Sequence, residues 1–178
     1  MSRRSRAAIA AVAVIGAIVV AWGLSSALGG PPSIQVSRSP LLDKPAPKFE
    51  LQTLDGTASV RLSDYVGRPV MINFWASWCL PCRQEFPLLA DARSRHVNEG
   101  LEILGIVHDD GPQAAQQFAA QYGGTWPLLD DPADVAWHAY DGALVPITYY
   151  VDRAGIVRAV SYGPPPSGTL EEQLAKIL

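Results

Sequence analysis

The only thiols in this chain of 178 residues stand three apart, in Trp78-Cys79-Leu80-Pro81-Cys82. Two cysteines at that spacing can close a small disulfide and reopen it, which is the chemistry of dithiol–disulfide exchange. An inert staple would gain little, because a loop this short restricts the unfolded chain far less than a long one. Half of a zinc site would need further ligands, and His96, His108 and His138 are scattered without paired spacing. Redox exchange needs only a thiolate and a second thiol to resolve what it forms. The pair falls where a buried strand gives way to a helix. Unpaired N–H groups and the positive dipole end stabilise a thiolate there. Cys79 is therefore expected to be the exposed attacking thiol, and Cys82, further into the helix, the resolving one.

The elements that must hold this pair can be read outward from it. Val70 to Trp75 is a mostly apolar run suited to a central strand buried on both faces. From Cys79 to about Asn98 the apolar spacing turns helical, through Phe86, Leu89 and Ala90, with a kink expected at Pro87. Leu101 to Val107 reads as a second buried strand. Pro112 opens a helix that runs to about Tyr122 and stops at Gly123-Gly124. Trp126 to Leu129 is short and extended, and Ala133 to Tyr140 is helical. Ile147 to Asp152 and Ile156 to Tyr162 form a hairpin. Thr169 and Glu172 have capping-box spacing for a last helix through Leu178. Before the core, Phe49 to Gln52 and Ser59 to Leu62 flank the turn signal Asp55-Gly56 as an N-terminal hairpin. The class is α/β, a central mixed sheet flanked by helices.

Charge divides the chain. Arg3, Arg4, Arg6 and Arg38 are four of its 14 basic residues, and none of its 17 acids precedes residue 39. Residues 39–178 hold the other ten bases against all 17 acids. So acidic a body excludes a nucleic-acid binder, whose affinity comes from neutralising phosphates. Ala7 to Leu24 is 18 uncharged residues, about 27 Å as a helix, and extension to Leu28 spans a bilayer core of about 30 Å. The arginines before it favour the cytoplasm and send the rest outward. Residues 1–28 are thus a membrane anchor, which the span length favours, or a signal peptide cleaved near Ser25-Ser26-Ala27. Residues 29–40, rich in Gly, Pro and Ser, are a linker, and 41–178 the folded domain.

The run Phe74-Trp75-Ala76-Ser77-Trp78-Cys79-Leu80-Pro81-Cys82 resembles the active-site segment of the thioredoxin superfamily. Continued through Arg83-Gln84-Glu85-Phe86-Pro87, it is similar to the membrane-anchored, extracytoplasmic TlpA/ResA-like branch. Val145-Pro146-Ile147-Thr148 resembles the family's cis-proline loop. The resemblance covers residues 41–178 and implies a thioredoxin-like fold with an N-terminal hairpin and an inserted helical segment after Gly111. It implies Cys79 as nucleophile, Cys82 as resolving cysteine, Glu85 as the active-site carboxylate and Pro146 as the cis-proline. Trp78 and Pro81 beside Cys79, and the Val145 backbone, are the implied substrate contacts. No cofactor is implied. The implied partners are protein thiols and disulfides, apocytochrome c among them in many relatives, and a membrane electron donor or acceptor. Some relatives instead oxidise exported proteins. One departure from thioredoxin stands out: the buried acid before the Phe-Trp pair is Asn73 here, which leaves Glu85 to handle protons.

Two other functions fit the residues less well. A thiol peroxidase pattern, Pro-x-x-x-Thr-x-x-Cys, would need Pro and Thr where Ile72 and Ala76 stand. A copper-delivery module on the same fold would typically space its cysteines by three residues and add a distant His. Trp75, Trp126 and Trp137 read as packing residues, and His108-Asp109-Asp110, which follows a strand and could lie at the active-site edge, as a solvated loop in preference to a catalytic one. Glu85 lies six residues past Cys79, about 9 Å along the helix axis. An ionised carboxylate there raises the Cys79 pKa and opposes the dipole.

Overall fold

The structure is a computed structural model that describes residues 39–178. The span read as an anchor or signal and nearly all of the linker lie outside the described residues. Among the described residues no helix is long and apolar enough to cross a membrane.

Among the described residues, seven strands and four α-helices follow one another as β1 (Glu50–Thr53), β2 (Ser59–Arg61), β3 (Val70–Trp75), α1 (Cys82–Arg95), β4 (Glu102–Val107), α2 (Pro112–Tyr122), β5 (Leu128–Asp130), α3 (Val135–Ala139), β6 (Ile147–Val151), β7 (Val157–Tyr162) and α4 (Ser167–Leu174). They build one mixed sheet in the order β2-β1-β5-β4-β3-β6-β7. The two parallel pairs, β3 with β4 and β4 with β5, are each joined through a helix, as parallel strands require. The remaining pairs are antiparallel. The expected N-terminal hairpin is present and docks along β5, with Gln52 opposite Asp130.

Side chains alternate across β3, so the sheet carries two apolar layers. Met71 and Trp75 face one layer with Ile103, Val107, Tyr150 and the helix residues Phe86 and Leu89. Val70, Ile72 and Phe74 face the other with Leu104, Ile106, Tyr149 and Trp137. Trp75, Trp126 and Trp137 are packing residues, as expected. Gly105 makes room for two of them, since a Cβ there would lie 2.9 Å from Trp126 Nε1 and 3.0 Å from Trp75 Nε1.

Helix boundaries differ from expectation in three places. The helix after the cysteines starts at Cys82 rather than Cys79, because Ala76–Cys79 forms a tight turn, with the Cys79 N–H donating to the Ala76 carbonyl. It continues through Pro87 to Arg95 as one helix. The final helix begins earlier than its capping-box spacing suggests. Pro166 holds the N-cap position without a side-chain cap, and its carbonyl accepts the Leu170 N–H, which leaves Thr169 and Glu172 inside the helix. The third is α3, shortened to Val135–Ala139 because Asp134 takes a left-handed conformation and the buried Asp131 caps the Val135 and Trp137 N–H groups.

Candidate active site

Cys79 and Cys82 form a disulfide in the turn between β3 and α1, with Cα atoms 5.4 Å apart. The Cys82 N–H, the first of α1, donates to Cys79 Sγ at 3.2 Å. That bond gives the dipole effect a specific donor, since one of the unsatisfied N–H groups at the helix start points at the sulfur of the attacking residue. The expected exposure is corrected in degree. Cys79 is only 3% exposed in the disulfide form, and Cys82 is fully buried. Apolar surface lies around the pair instead, with Trp78 at 55% and Leu80 at 66% exposed, and Leu144 also open. A partner that docks there covers apolar surface while it approaches the sulfur.

Glu85, one turn beyond Cys82, is fully buried. Asn73 on β3 donates through Nδ2 to Glu85 Oε2 at 2.9 Å and to Thr148 Oγ1 at 2.9 Å, and the Thr148 hydroxyl donates to Glu85 Oε1 at 3.1 Å. Asn73 and Thr148 are directly opposed across the β3–β6 pair, so register alone puts both on the face that α1 covers. Burial pushes the Glu85 carboxyl up to about 7, against the downward pull of the bonds from Asn73 and Thr148. Glu85 therefore exchanges a proton near neutrality. Asn73, in place of an acid, is its hydrogen-bond donor.

The Val145–Pro146 bond is cis. Pro146 immediately precedes β6, whose Ile147 is paired with Phe74, so the loop borders the end of β3 from which the active-site turn departs. Val145 packs against the layer that contains both cysteines. No backbone hydrogen bond among the described residues engages its N–H or carbonyl. Pro81, at the N-cap of α1, is exposed beside the disulfide. The seven residues singled out from the sequence thus converge on one end of the sheet.

Two contributors escape the sequence reading. Thr148 sits two residues past Pro146 in the cis-proline motif, and its cross-strand register with Asn73 is the available signal. The loop after β4 reads as solvated in sequence, yet Asp110 Oδ2 accepts the Ser77 N–H at 2.5 Å and the Asp109 carbonyl accepts the Trp78 indole N–H at 2.9 Å. Among the described residues no group of three or more His, Cys, Asp or Glu is placed to hold a metal ion.

A dithiol pair at a helix start, beside a cis-proline loop and over a buried carboxylate, places the protein among thioredoxin-superfamily oxidoreductases that act on disulfides. Within that class the chain belongs to the AhpC/TSA family, which matches residues 42–160. It is ResA-like: the thiol-disulfide oxidoreductase ResA of Geobacillus kaustophilus is 33% identical over 132 residues, 74% of this chain and 75% of that protein. A Chlorobium tepidum structure assigned as the thiol:disulfide interchange protein DsbE is 29% identical with a TM-score of 0.69, covering 79% of this chain and 97% of its own. MTB dsbF, solved in mixed oxidized and reduced forms, is 26% identical with a TM-score of 0.67, over 73% and 95% of the two chains.

Proposed function

We propose that this oxidoreductase works outside the cytoplasm, held at the cell membrane by its N-terminal segment, and that it reduces disulfides in proteins. The observation that carries the direction is Glu85. A strong oxidant of this class owes its potential to a stabilised reduced form, in which the attacking thiolate is favoured. A buried carboxylate one turn from Cys82 acts the other way, because its negative form disfavours a thiolate nearby. The reduced pair is thereby made the better electron donor.

In the forward reaction, Cys79 attacks one sulfur of a substrate disulfide and the other substrate sulfur leaves as a thiolate. Cys82 then loses its proton and attacks Cys79 Sγ. The substrate departs as a dithiol, two electrons have passed to it, and the enzyme is left as the Cys79–Cys82 disulfide. Glu85, with its carboxyl near 7, is suited to accept the Cys82 proton in the second step. The unpaired Val145 backbone and the exposed Trp78, Leu80 and Pro81 offer an extended substrate segment a seat beside Cys79. A membrane dithiol donor returns the pair to its reduced form. Apocytochrome c before haem attachment is the substrate toward which the family resemblance points. The arginines ahead of an uncharged span support the outward topology.

Expression of the full chain carrying Cys82→Ser tests this. The expected result is a membrane fraction in which mixed disulfides to exported proteins are trapped through Cys79, whereas Cys79→Ser traps few. A cytoplasmic, soluble protein with a reduced, alkylatable Cys79 would overturn the compartment, and equal trapping by both variants would overturn the roles.

A further inference from the structure

The turn that carries Cys79 is held from outside by the loop after β4. Within the turn, the Cys79 N–H has a backbone partner in the Ala76 carbonyl. The Ser77 N–H has no backbone partner among the described residues, and its acceptor is Asp110 Oδ2, supplied from 33 residues away. The other oxygen of the same carboxylate accepts the Gly111 N–H at 2.8 Å, which fixes the side chain in place. One residue earlier, Asp109 adopts a left-handed conformation with φ of 47°, and its carbonyl accepts the Trp78 indole N–H. Two successive loop residues thus engage two successive residues of the turn, and the next residue of the turn is Cys79.

The loop is itself anchored. The His108 N–H donates to the Trp75 carbonyl at 3.0 Å, which continues the β3–β4 ladder one step past the strands. The His108 ring stacks on Trp137, with centroids 3.6 Å apart and planes 9° from parallel, and its Nδ1 meets Asp134 Oδ1 at 2.9 Å. Asp110 therefore projects from a rigid base rather than from a wandering loop.

We propose that Asp110 is a positioning residue for disulfide exchange: it fixes the Ala76–Trp78 bend, with Asp109 restraining Trp78, so that Cys79 Sγ is kept where it can close onto Cys82 and receive the Cys82 N–H. This rests on the oxidoreductase activity alone and is independent of the direction of electron flow or the compartment. Ring closure of a dithiol depends on how well its two sulfurs are preorganised. A loosened bend makes closure less favourable, and it also moves the Trp78 wall against which a substrate docks.

Two substitutions separate position from charge. Asp110→Ala and Asp110→Asn remove the same negative charge, but the amide oxygen of Asn can still accept the Ser77 N–H while the exposed Gly111 N–H turns to water. Comparing the two variants therefore cancels the electrostatic effect. In the full chain in detergent, the equilibrium constant for closing Cys79–Cys82 in a glutathione buffer should fall about fivefold in Asp110→Ala relative to Asp110→Asn. The second-order rate of exchange with a disulfide-bonded substrate protein should fall with it, and tryptophan emission should change in Asp110→Ala but not in Asp110→Ala/Trp78→Phe relative to Trp78→Phe. Circular dichroism and denaturation midpoints of the oxidised variants establish that both fold. Equal closure constants in Ala and Asn variants would overturn the proposal, whether or not both differ from the unsubstituted protein. Failure of every variant and the parent to exchange disulfides would instead count against the enzyme activity itself.

Discussion

Replacing Glu85 with Gln should make the oxidised protein more stable in neutral solution and leave it unchanged in mild acid. The carboxyl is pushed from its ordinary 4.5 to about 7 by burial. Between those values the folded protein holds a proton that the unfolded chain has released, so stability falls as pH rises and levels off above about 7. The loss amounts to roughly 3 kcal/mol, at about 1.4 kcal/mol for each pKa unit. Glu85→Gln carries no such loss. Its amide oxygen takes the bond from Asn73 Nδ2, and its NH2 group donates to Thr148 Oγ1, whose hydroxyl turns to accept. Urea unfolding of the disulfide form, in which neither cysteine titrates, isolates the effect. With a urea dependence of about 2 kcal/mol per molar, the variant's midpoint should exceed the parent's by about 1.5 M at pH 8, and the two should converge toward pH 4.5. Every other ionisable group is shared and cancels in the difference. A midpoint difference that does not change with pH would refute the reasoning, because it would mean that Glu85 titrates alike in both states.

Gly105→Ala should destabilise the fold by about 1–3 kcal/mol, since its Cβ would press on the indoles of Trp75 and Trp126 and on Leu128 Cδ2 in a packed layer; denaturation of the purified variant measures it. Asp131→Ala should cost about 1–2 kcal/mol through loss of the Val135 and Trp137 N–H bonds at the start of α3. The same unfolding assay reads that loss, while the closure constant of the dithiol should stay within twofold of the parent's, a ratio set by roughly 0.4 kcal/mol.

Local patterns make much of the fold legible. The six residues of β3 show as an apolar run broken by Asn73, and α2 is marked by Pro112 at its start and Gly123 at its end, where φ is 86°. The two cysteines announce their own chemistry through spacing. Contacts between elements distant in sequence are harder to read. Asn73, Glu85 and Thr148 meet only because β3 pairs with β6 and α1 crosses over both, and a charged residue on a helix suggests solvent. The stripe Cys82, Glu85, Phe86, Leu89, Ala92 nevertheless has the i, i+3, i+4, i+7 spacing of a buried face, and all five are buried. That spacing is the available sign that Glu85 points inward. Asp110 gives no comparable sign, because its role depends on a turn 33 residues away.

The proposed direction of electron flow is tested most directly by the reduction potential of the Cys79–Cys82 pair at neutral pH, measured by equilibration with a thioredoxin or glutathione couple. A buried carboxylate that disfavours the thiolate predicts a reducing value, close to thioredoxin's, about −270 mV. A value near that of a strong disulfide-forming oxidant, about −120 mV, would contradict it.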